Sequence, residues 1–361
     1  MSNRVRWLLG LLVSAAALVA ALWGIDWGQT LGALQRADFA FLALCVATLL
    51  IQLVLRTLRW QVLLGEGVGL GRCWSVLNIG YLVNTVLPLR IGEVARAYLI
   101  SRGRKFGGAH ALSSVALERV FDVLSVVLLF GLALPYVHPS DEVLFGGRMT
   151  ALLGVGGLLA MFVAALWPGL VQRAGDVMIA RVFRGSAARW SQRLAGALAG
   201  LSSLRDPRRL IQVIGWTAAV WIMAVASIYL GARAFLPVLP ISSAVFVLAA
   251  LGLGVAVPSS PGQIGVYEGT ARYAFMVAGV DATQGLAIGV IVHVINLLAV
   301  IVFGAIALSR EGESLGRLAA ETTAWLARVQ GKDAARGGDS ADSAVPEPAQ
   351  DAPTGLTEGK R

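Results

Sequence analysis

The chain has 361 residues, of which 57% are hydrophobic and only 14% are charged, and its mean hydropathy is +0.73. Soluble domains lie nearer to about 45–50% apolar and 25% charged residues, so the composition excludes an ordinary soluble enzyme or binding domain. The net charge of +9 is typical of basic cytoplasmic loops in a membrane protein, and we expect no nucleic-acid partner.

Apolar stretches of about 20 residues, the length of helix that crosses the hydrocarbon core, recur along the chain. Because backbone groups in lipid must form their hydrogen bonds internally, we predict an all-α, polytopic membrane protein. Arg56, Arg59 and Trp60 follow the second span and are interpreted as a basic and aromatic interface anchor. The predicted full spans are 7–25, 39–55, 109–134, 149–167, 210–235 and 283–308.

The segment 169–209 holds eight arginines with apolar residues between them, which predicts a basic amphipathic helix on the membrane surface. The last residues are rich in Ala, Gly, Pro, Asp and Ser, a composition that favours disorder. The predicted organisation is a transmembrane domain at 1–309, an interfacial helix at 310–330 and a disordered cytoplasmic tail at 331–361.

Basic residues are concentrated in alternate loops, and the loop at 135–148 carries only Arg148. The positive-inside rule therefore predicts a protein of the cytoplasmic (inner) membrane with both termini in the cytoplasm. Two apolar segments interrupted by polar residues must fit this arrangement. Segment 75–100 must enter and leave from the cytoplasmic side, and segment 241–279 must enter and leave from the outside.

This topology predicts the outcome of a labelling experiment. A cysteine that replaces Ser140 should react with an impermeant reagent added outside the cell. A cysteine that replaces Ser186 should stay protected until the membrane is permeabilised. The reverse pattern would contradict the predicted orientation of the whole chain.

The two interrupted segments share a short motif. Pro88–Gly92 reads Pro-x-Arg-Ile-Gly and Pro261–Gly265 reads Pro-x-Gln-Ile-Gly, and a glutamate follows each, at Glu93 and Glu268. Inverted repeats with broken helices at the membrane midplane are a recurring transporter design. We therefore predict two re-entrant hairpins that form an inverted repeat, with their proline turns close together near the midplane.

Each break is predicted to begin a half-helix. Ser260 is a good N-cap, Pro261 suits the first helical position and Gln263 has capping-box spacing. Helix N-termini attract anions, and Arg90 adds a guanidinium that matches a phosphate group. The predicted substrate-binding residues are Asn84, Pro88, Arg90, Gly92, Glu93, Arg96, Ser260, Pro261, Gly262, Gln263, Gly265, Glu268 and Arg272.

Helical spacing leaves two interpretations open for the charges in these segments. Glu93 with Arg96, and Glu268 with Arg272, are either self-neutralising pairs or groups that bind substrate or protons. A charge at the bilayer centre costs roughly 2.5–3.5 kcal/mol on insertion scales, which favours a functional role.

Two further polar groups lie within predicted spans. Glu118, Arg119 and Asp122 are interpreted as a structural charge cluster that holds the third span against a broken segment. His293 with Asn296 is interpreted as a source of interhelical hydrogen bonds, with a proton relay as the alternative.

Three stretches, Asn84–Arg96, Glu118–Asp122 and Pro258–Glu268, together resemble the lysylphosphatidylglycerol synthase transmembrane family, which is also described as flippase-like. The resemblance covers about residues 5–310 and implies lipid translocation. The aminoacyl-transferring members carry a sizeable soluble C-terminal domain. Since only about 50 residues follow the last span here, the resemblance argues against lysyl transfer.

The function expected from the sequence is movement of an anionic lipid or lipid-linked carrier across the membrane, with membrane lipids as partners. One alternative is a membrane enzyme that uses Glu93, Glu118 or Glu268 as acid or base, and another is a non-transporting scaffold of a cell-envelope pathway. No catalytic nucleophile, metal site or cofactor is expected, because no suitable residue spacing is present.

Overall fold

The computed structural model describes residues 37–65, 67–87, 91–102, 107–137, 139–182, 187–201, 204–254 and 261–330, so the predicted first span and the tail from 331 lie outside the described residues. Every regular element within these ranges is helical, which confirms the all-α class. The α-helices are α1 (Phe39–Leu64), α2 (Leu70–Val86), α3 (Ile91–Ser101), α4 (Gly108–Ala133), α5 (Asp141–Leu166), α6 (Pro168–Val182), α7 (Ala187–Gly200), α8 (Pro207–Arg233), α9 (Ile241–Gly254), α10 (Val266–Val277), α11 (Ala282–Arg310) and α12 (Leu315–Gln330). Short 3₁₀ turns occur at Leu134–Tyr136 and Pro261–Gln263.

Four of these helices, α1, α5, α8 and α11, are long and apolar enough to cross a membrane. They correspond to four of the predicted spans, and α4, at 26 residues, corresponds to a fifth that carries charged residues near its middle. Two boundaries were wrong. Helix α1 runs to Leu64 rather than 55, and α5 begins at Asp141 rather than 149. Polar residues extend both helices, and Asp141 and Glu142 suit the positive end of the helix dipole.

The first interrupted segment is a helical hairpin of α2 and α3. Arg72 Nη2 donates a hydrogen bond to the Leu99 carbonyl at 2.9 Å, and the Gly92 amide donates to Asn84 Oδ1 at 2.8 Å. The paired positions run in opposite directions along the chain, so the two helices are antiparallel. Pro88 and Arg90, at the turn itself, lie outside the described residues.

The second interrupted segment contains α9, the 3₁₀ turn and α10. Helix α10 runs antiparallel along the first half of α11. Glu268 faces His293, and a Cβ built on Gly289 would lie 2.5 Å from the Cβ of Ala271. Gly254, at the end of α9, lies against Thr270 of α10, which closes the segment on itself.

The second half of α11 packs against α2, where Trp74 and Phe303 meet edge to face with ring centroids 5.6 Å apart. The two interrupted segments therefore approach along α11 from opposite ends. They meet at Gly262, where a Cβ would lie 3.7 Å from the Thr85 carbonyl oxygen and 3.8 Å from Leu297 Cδ2. Leu297 is near the midpoint of α11, so the turn at Gly262 and the end of α2 adjoin halfway along a membrane-length helix.

The basic segment 169–209 differs from the single surface helix that its composition predicted. It forms two helices, α6 and α7, and Gln172 Nε2 of α6 donates to Ser191 Oγ of α7 at 3.0 Å. Helix α7 packs closely on the first turns of α4, where Gly200 lies against the backbone of His110. Small residues allow this approach, and the location of the segment at the membrane surface stays a prediction.

The chain divides into two compact units after Thr322. The first contains all the helices up to that point, and the second is described only as the helical residues 323–330. Within the first unit, polar contacts join the end of α11 and the start of α12 to the open ends of α2 and α3. Arg72 pairs with Glu311, Arg102 with Glu313 at 2.7 Å, and Tyr98 Oη donates to Glu321 at 3.1 Å.

Candidate functional site

A buried carboxylate on α4 forms the centre of the main charged site. Glu118 is fully buried and accepts hydrogen bonds from three guanidinium groups. Arg96 approaches at 2.7 Å, Arg119 at 2.9 Å and Arg59 at 3.2 Å. Buried ion pairs persist only where the geometry compensates for lost hydration, and three donors around one carboxylate supply that compensation. Glu118 thereby joins α1, α3 and α4.

Arg59 and Trp60 are part of the buried cluster around Glu118, so their interpretation as an interface anchor was wrong. Arg59, 1% exposed, also donates to Asp122 at 2.7 Å. Trp60 Nε1 donates to Ser114 Oγ at 3.2 Å, and the Arg96 guanidinium stacks 4.1 Å above the Trp60 ring. Partners on neighbouring helices keep these side chains buried within the protein. The tendency of basic and aromatic residues to lie at the membrane interface therefore does not apply to them.

The other side of the cluster is partly open. Arg119, Glu93 and Asp122 are 35%, 26% and 20% exposed. Arg119 lies 3.7 Å from Glu93 and 3.5 Å from Asp122, while Arg96 faces Glu118 instead. The partner of Glu93 is therefore on α4, and the predicted Glu93–Arg96 pair is not the one that forms. Arg119, Glu93 and Asp122 therefore keep surface that the rest of the described chain does not cover, unlike Glu118.

Arg56 is a neighbouring cation that the sequence reasoning treated only as an anchor. Its Nη1 donates to Tyr81 Oη at 3.3 Å, and its guanidinium lies 5.7 Å from the centre of that ring. Over the residues that the structure describes, no carboxylate lies within ion-pair distance of Arg56. Arg56 precedes Arg59 by three residues on α1, a spacing that places both arginines on one face of the helix.

The described arginines of this site keep unused donors. The Nε atoms of Arg56, Arg59, Arg96 and Arg119 are buried and have no hydrogen-bond partner in the described part of the chain. The three arginines around Glu118 are matched in number by the carboxylates of Glu93, Glu118 and Asp122, so Arg56 adds an excess positive charge. No group of three or more metal-ligating side chains occurs among the described residues. The contacts that these side chains make within the protein are ion pairs and hydrogen bonds.

A second polar site lies on α10 and α11. Nδ1 of His293 lies 2.7 Å from Oε1 of Glu268, and both side chains are buried. The Tyr267 ring stacks on the imidazole with centroids 4.1 Å apart. His293 therefore forms the predicted interhelical contact, but with Glu268, whereas Asn296 is exposed.

The capping of α10 differs from the prediction. The helix begins at Val266, and Glu268 Oε2 accepts a hydrogen bond from the Gly265 amide at 2.6 Å. Gly262, Gln263 and Gly265 have φ values of 68°, 60° and 88°, a left-handed conformation in which glycine costs little. The turn at Pro261 therefore precedes the helix instead of starting it, and Ser260, the predicted N-cap, lies outside the described residues.

The predicted site residues fall into two groups, one on each side of the contact between Gly262 and Thr85. Arg272 is half-buried on α10, one turn beyond Glu268. Pro88, Arg90 and Ser260 lie outside the described residues. The group on the first hairpin comprises Asn84, Gly92, Glu93 and Arg96, and the group on the second comprises Pro261, Gly262, Gln263, Gly265, Glu268 and Arg272.

The chain matches the family described as the lysylphosphatidylglycerol synthase TM region over residues 7–304. A UPF0104 membrane protein of Methanothermobacter thermautotrophicus is 26% identical over 330 residues, which cover 84% of this chain and 95% of that protein. Glycosyltransferase AglD of Haloferax volcanii is 27% identical over 338 residues, covering 84% of this chain but only 54% of its own length. No solved structure matches. Because the family match extends over most of the sequence and the helical fold agrees with it, this chain belongs to the lysylphosphatidylglycerol synthase transmembrane-region family.

Proposed function

We propose that this protein translocates an anionic lipid or lipid-linked carrier across the cytoplasmic membrane. The observation that carries the proposal is the charged site among α1, α3 and α4, which is closed at Glu118 and open at Arg119 and Glu93. Charged residues inside membrane helices are costly and usually mark a substrate or ion path. A purely structural cluster would have no need of an accessible guanidinium.

The headgroup is recognised by guanidinium groups in this proposal. The Gly92 amide is already bonded to Asn84, and the Gly265 amide to Glu268, so protein side chains occupy a donor at each helix start. The guanidinium side chain of Arg119 is partly exposed, and planar guanidiniums match the oxygens of a phosphate. Arg90, two residues before Gly92, is expected from the sequence to add a further donor.

The movement follows from the two interrupted segments. We treat them as re-entrant hairpins of an inverted repeat, because Gly262 of the second segment lies beside Thr85 of the first and Leu297 at the middle of α11. In transporters of this design, one repeat rocks against the other around a fixed midplane site. The headgroup then passes between the hairpins while the acyl chains stay in the lipid.

The names of the family and of one relative support a lipid-linked substrate. The family description refers to a synthase of the lipid lysylphosphatidylglycerol, and the Haloferax relative is named a glycosyltransferase. That relative favours a second candidate, a membrane-embedded enzyme that uses Glu93 as an acid or base on a lipid. We favour translocation because the match covers about half of that relative, and Glu93 lies beside arginines rather than a nucleophile.

Three variants test the site, namely Arg119→Ala, Glu93→Gln and Arg90→Ala. Each variant should fold but move a fluorescent phosphatidylglycerol between leaflets of proteoliposomes at least tenfold more slowly. A tenfold slower rate corresponds to an activation free energy that is higher by about 1.4 kcal/mol. Arg119→Lys should restore little, because Lys lacks the planar fork. The control is Glu142→Gln, which changes an exposed carboxylate on α5. Wild-type rates in all three variants would reject the site. Chemical conversion of the lipid without movement would favour the enzyme.

A further inference from the structure

The buried pair of Glu268 and His293 differs from the first site in the chemistry of its cation. Arginine stays protonated in proteins, so the carboxylates around Arg59, Arg96 and Arg119 have permanent partners. Histidine gains and loses its proton in the physiological range. The cation of the pair on α10 and α11 can therefore change its charge, whereas the arginines of the other cluster cannot.

We propose that Glu268 and His293 form a proton-binding site that couples proton entry to the movement of the anionic lipid. This inference rests on the proposed function and adds a co-substrate to it. With the imidazole neutral, the pair carries one negative charge, and one bound proton makes it neutral. One proton that accompanies one singly charged headgroup gives electroneutral cotransport.

The pair lies in apolar surroundings. Ala271, Ile288 and Val292, on the same two helices, belong to the buried apolar core, and an uncompensated charge in such surroundings is costly. Within the described residues, Tyr229 of α8 packs against the same core, and three further titratable groups lie near the pair. They are Tyr267, stacked on His293, Cys45 of α1, which lies 3.4 Å from a Cβ built on Gly231 next to Val292, and Arg272 on α10. Helix α9 contributes no titratable group over Ile241–Gly254.

The pair is connected to the point where the two hairpins meet. One oxygen of Glu268 faces His293, and the other accepts the hydrogen bond from the Gly265 amide. That bond closes the left-handed turn that begins at Gly262, which touches Thr85 of the first hairpin. A proton bound to the pair reduces the negative charge on Glu268 and weakens the hydrogen bond that Glu268 accepts from the Gly265 amide. Protonation therefore changes the stability of the turn beside the headgroup path.

Charge supplies the coupling to the lipid. An anionic headgroup at the hairpin junction is repelled by the unprotonated pair and is tolerated by the neutral one. Proton binding must therefore increase lipid affinity, and lipid binding must increase proton affinity by the same factor. The lipid then moves in the direction in which protons flow down their gradient.

The experiment uses the full chain in proteoliposomes that contain a trapped pH dye and fluorescent phosphatidylglycerol in the outer leaflet. An acidic outside should accelerate inward lipid movement about tenfold, and the lumen should acidify only when the anionic lipid is present. His293→Gln and Glu268→Gln should lose both responses, whereas Glu142→Gln should keep them. Thermal unfolding of each variant shows whether it is folded, and the wild-type comparison does not depend on any variant.

The outcomes separate the two proposals. Lipid movement in the wild type at the same rate with and without the pH gradient would overturn the coupling and leave translocation intact. Retention of both responses in the two folded variants would overturn the assignment of the proton to this pair. Absence of lipid movement under every condition would reject the proposed function, and the coupling with it.

Discussion

Replacement of Glu118 by Gln should lower the free energy of unfolding by about 3–5 kcal/mol, the typical cost of removing one partner from a buried ion pair. Glu118 is fully buried and accepts hydrogen bonds from Arg59, Arg96 and Arg119. Gln preserves the size of the side chain but carries no charge. The buried guanidiniums of Arg59 and Arg96 would then lack their shared counter-ion.

Unfolding of the purified protein in mixed detergent micelles measures this effect. The matched control is Glu93→Gln, because Glu93 belongs to the same cluster but lies on its open side, 3.7 Å from Arg119. Glu93→Gln should stay within about 1 kcal/mol of wild-type stability, as expected for a solvent-accessible pair, while it loses transport. Equal stability of the Glu118 variant and the wild type would show that the cluster does not hold α1, α3 and α4 together.

Replacement of Gly92 by Ala should open the hairpin of α2 and α3. A Cβ on Gly92 would overlap the Gly80 carbonyl oxygen and lie 2.6 Å from Asn84 Oδ1. Overpacking usually costs about 1–3 kcal/mol, and the loss here should be at the upper end or beyond, since one obstacle is backbone that cannot rotate away. The Asn84 hydrogen bond to the Gly92 amide would be lost in the same movement.

The same unfolding measurement, together with the yield of folded protein, checks this prediction. Gly71→Ala is the control on α2, because nothing lies within 4 Å of a Cβ at that position and alanine favours the helix. Gly80→Ala should resemble Gly92→Ala, since its Cβ would overlap the Arg96 side chain. Full stability of Gly92→Ala would mean that the close approach of the two helices is not required.

The helical class and the positions of both breaks were predictable because they depend on local composition. Apolar stretches of membrane length specify helices, and polar residues with proline interrupt them. The depth of Arg59 and Trp60 was not predictable in this way, because basic and aromatic residues at the end of an apolar stretch also describe an interface. Only their partners, Glu118 and Ser114, distant in the sequence, hold them inside.

Pairing of charges shows the same limit. Spacing along one helix predicted Glu93 with Arg96, but contacts between helices pair Arg96 with Glu118 and place Glu93 near Arg119. Capping failed for a different reason. The left-handed conformations at Gly262 and Gly265 insert a turn before α10, and a pattern of residue types does not reveal where such a turn ends.

Lipid movement by the wild-type protein tests the central claim most directly. The measurement is the fraction of fluorescent lipid that remains protected from an impermeant quencher in proteoliposomes, compared with protein-free liposomes. The account predicts that phosphatidylglycerol, with its net negative charge, exchanges between the leaflets much faster than a zwitterionic phosphatidylcholine of the same chain length. Faster movement of the zwitterionic lipid would contradict anion recognition by the arginine site. Movement of neither lipid above the protein-free rate would contradict translocation of these lipids.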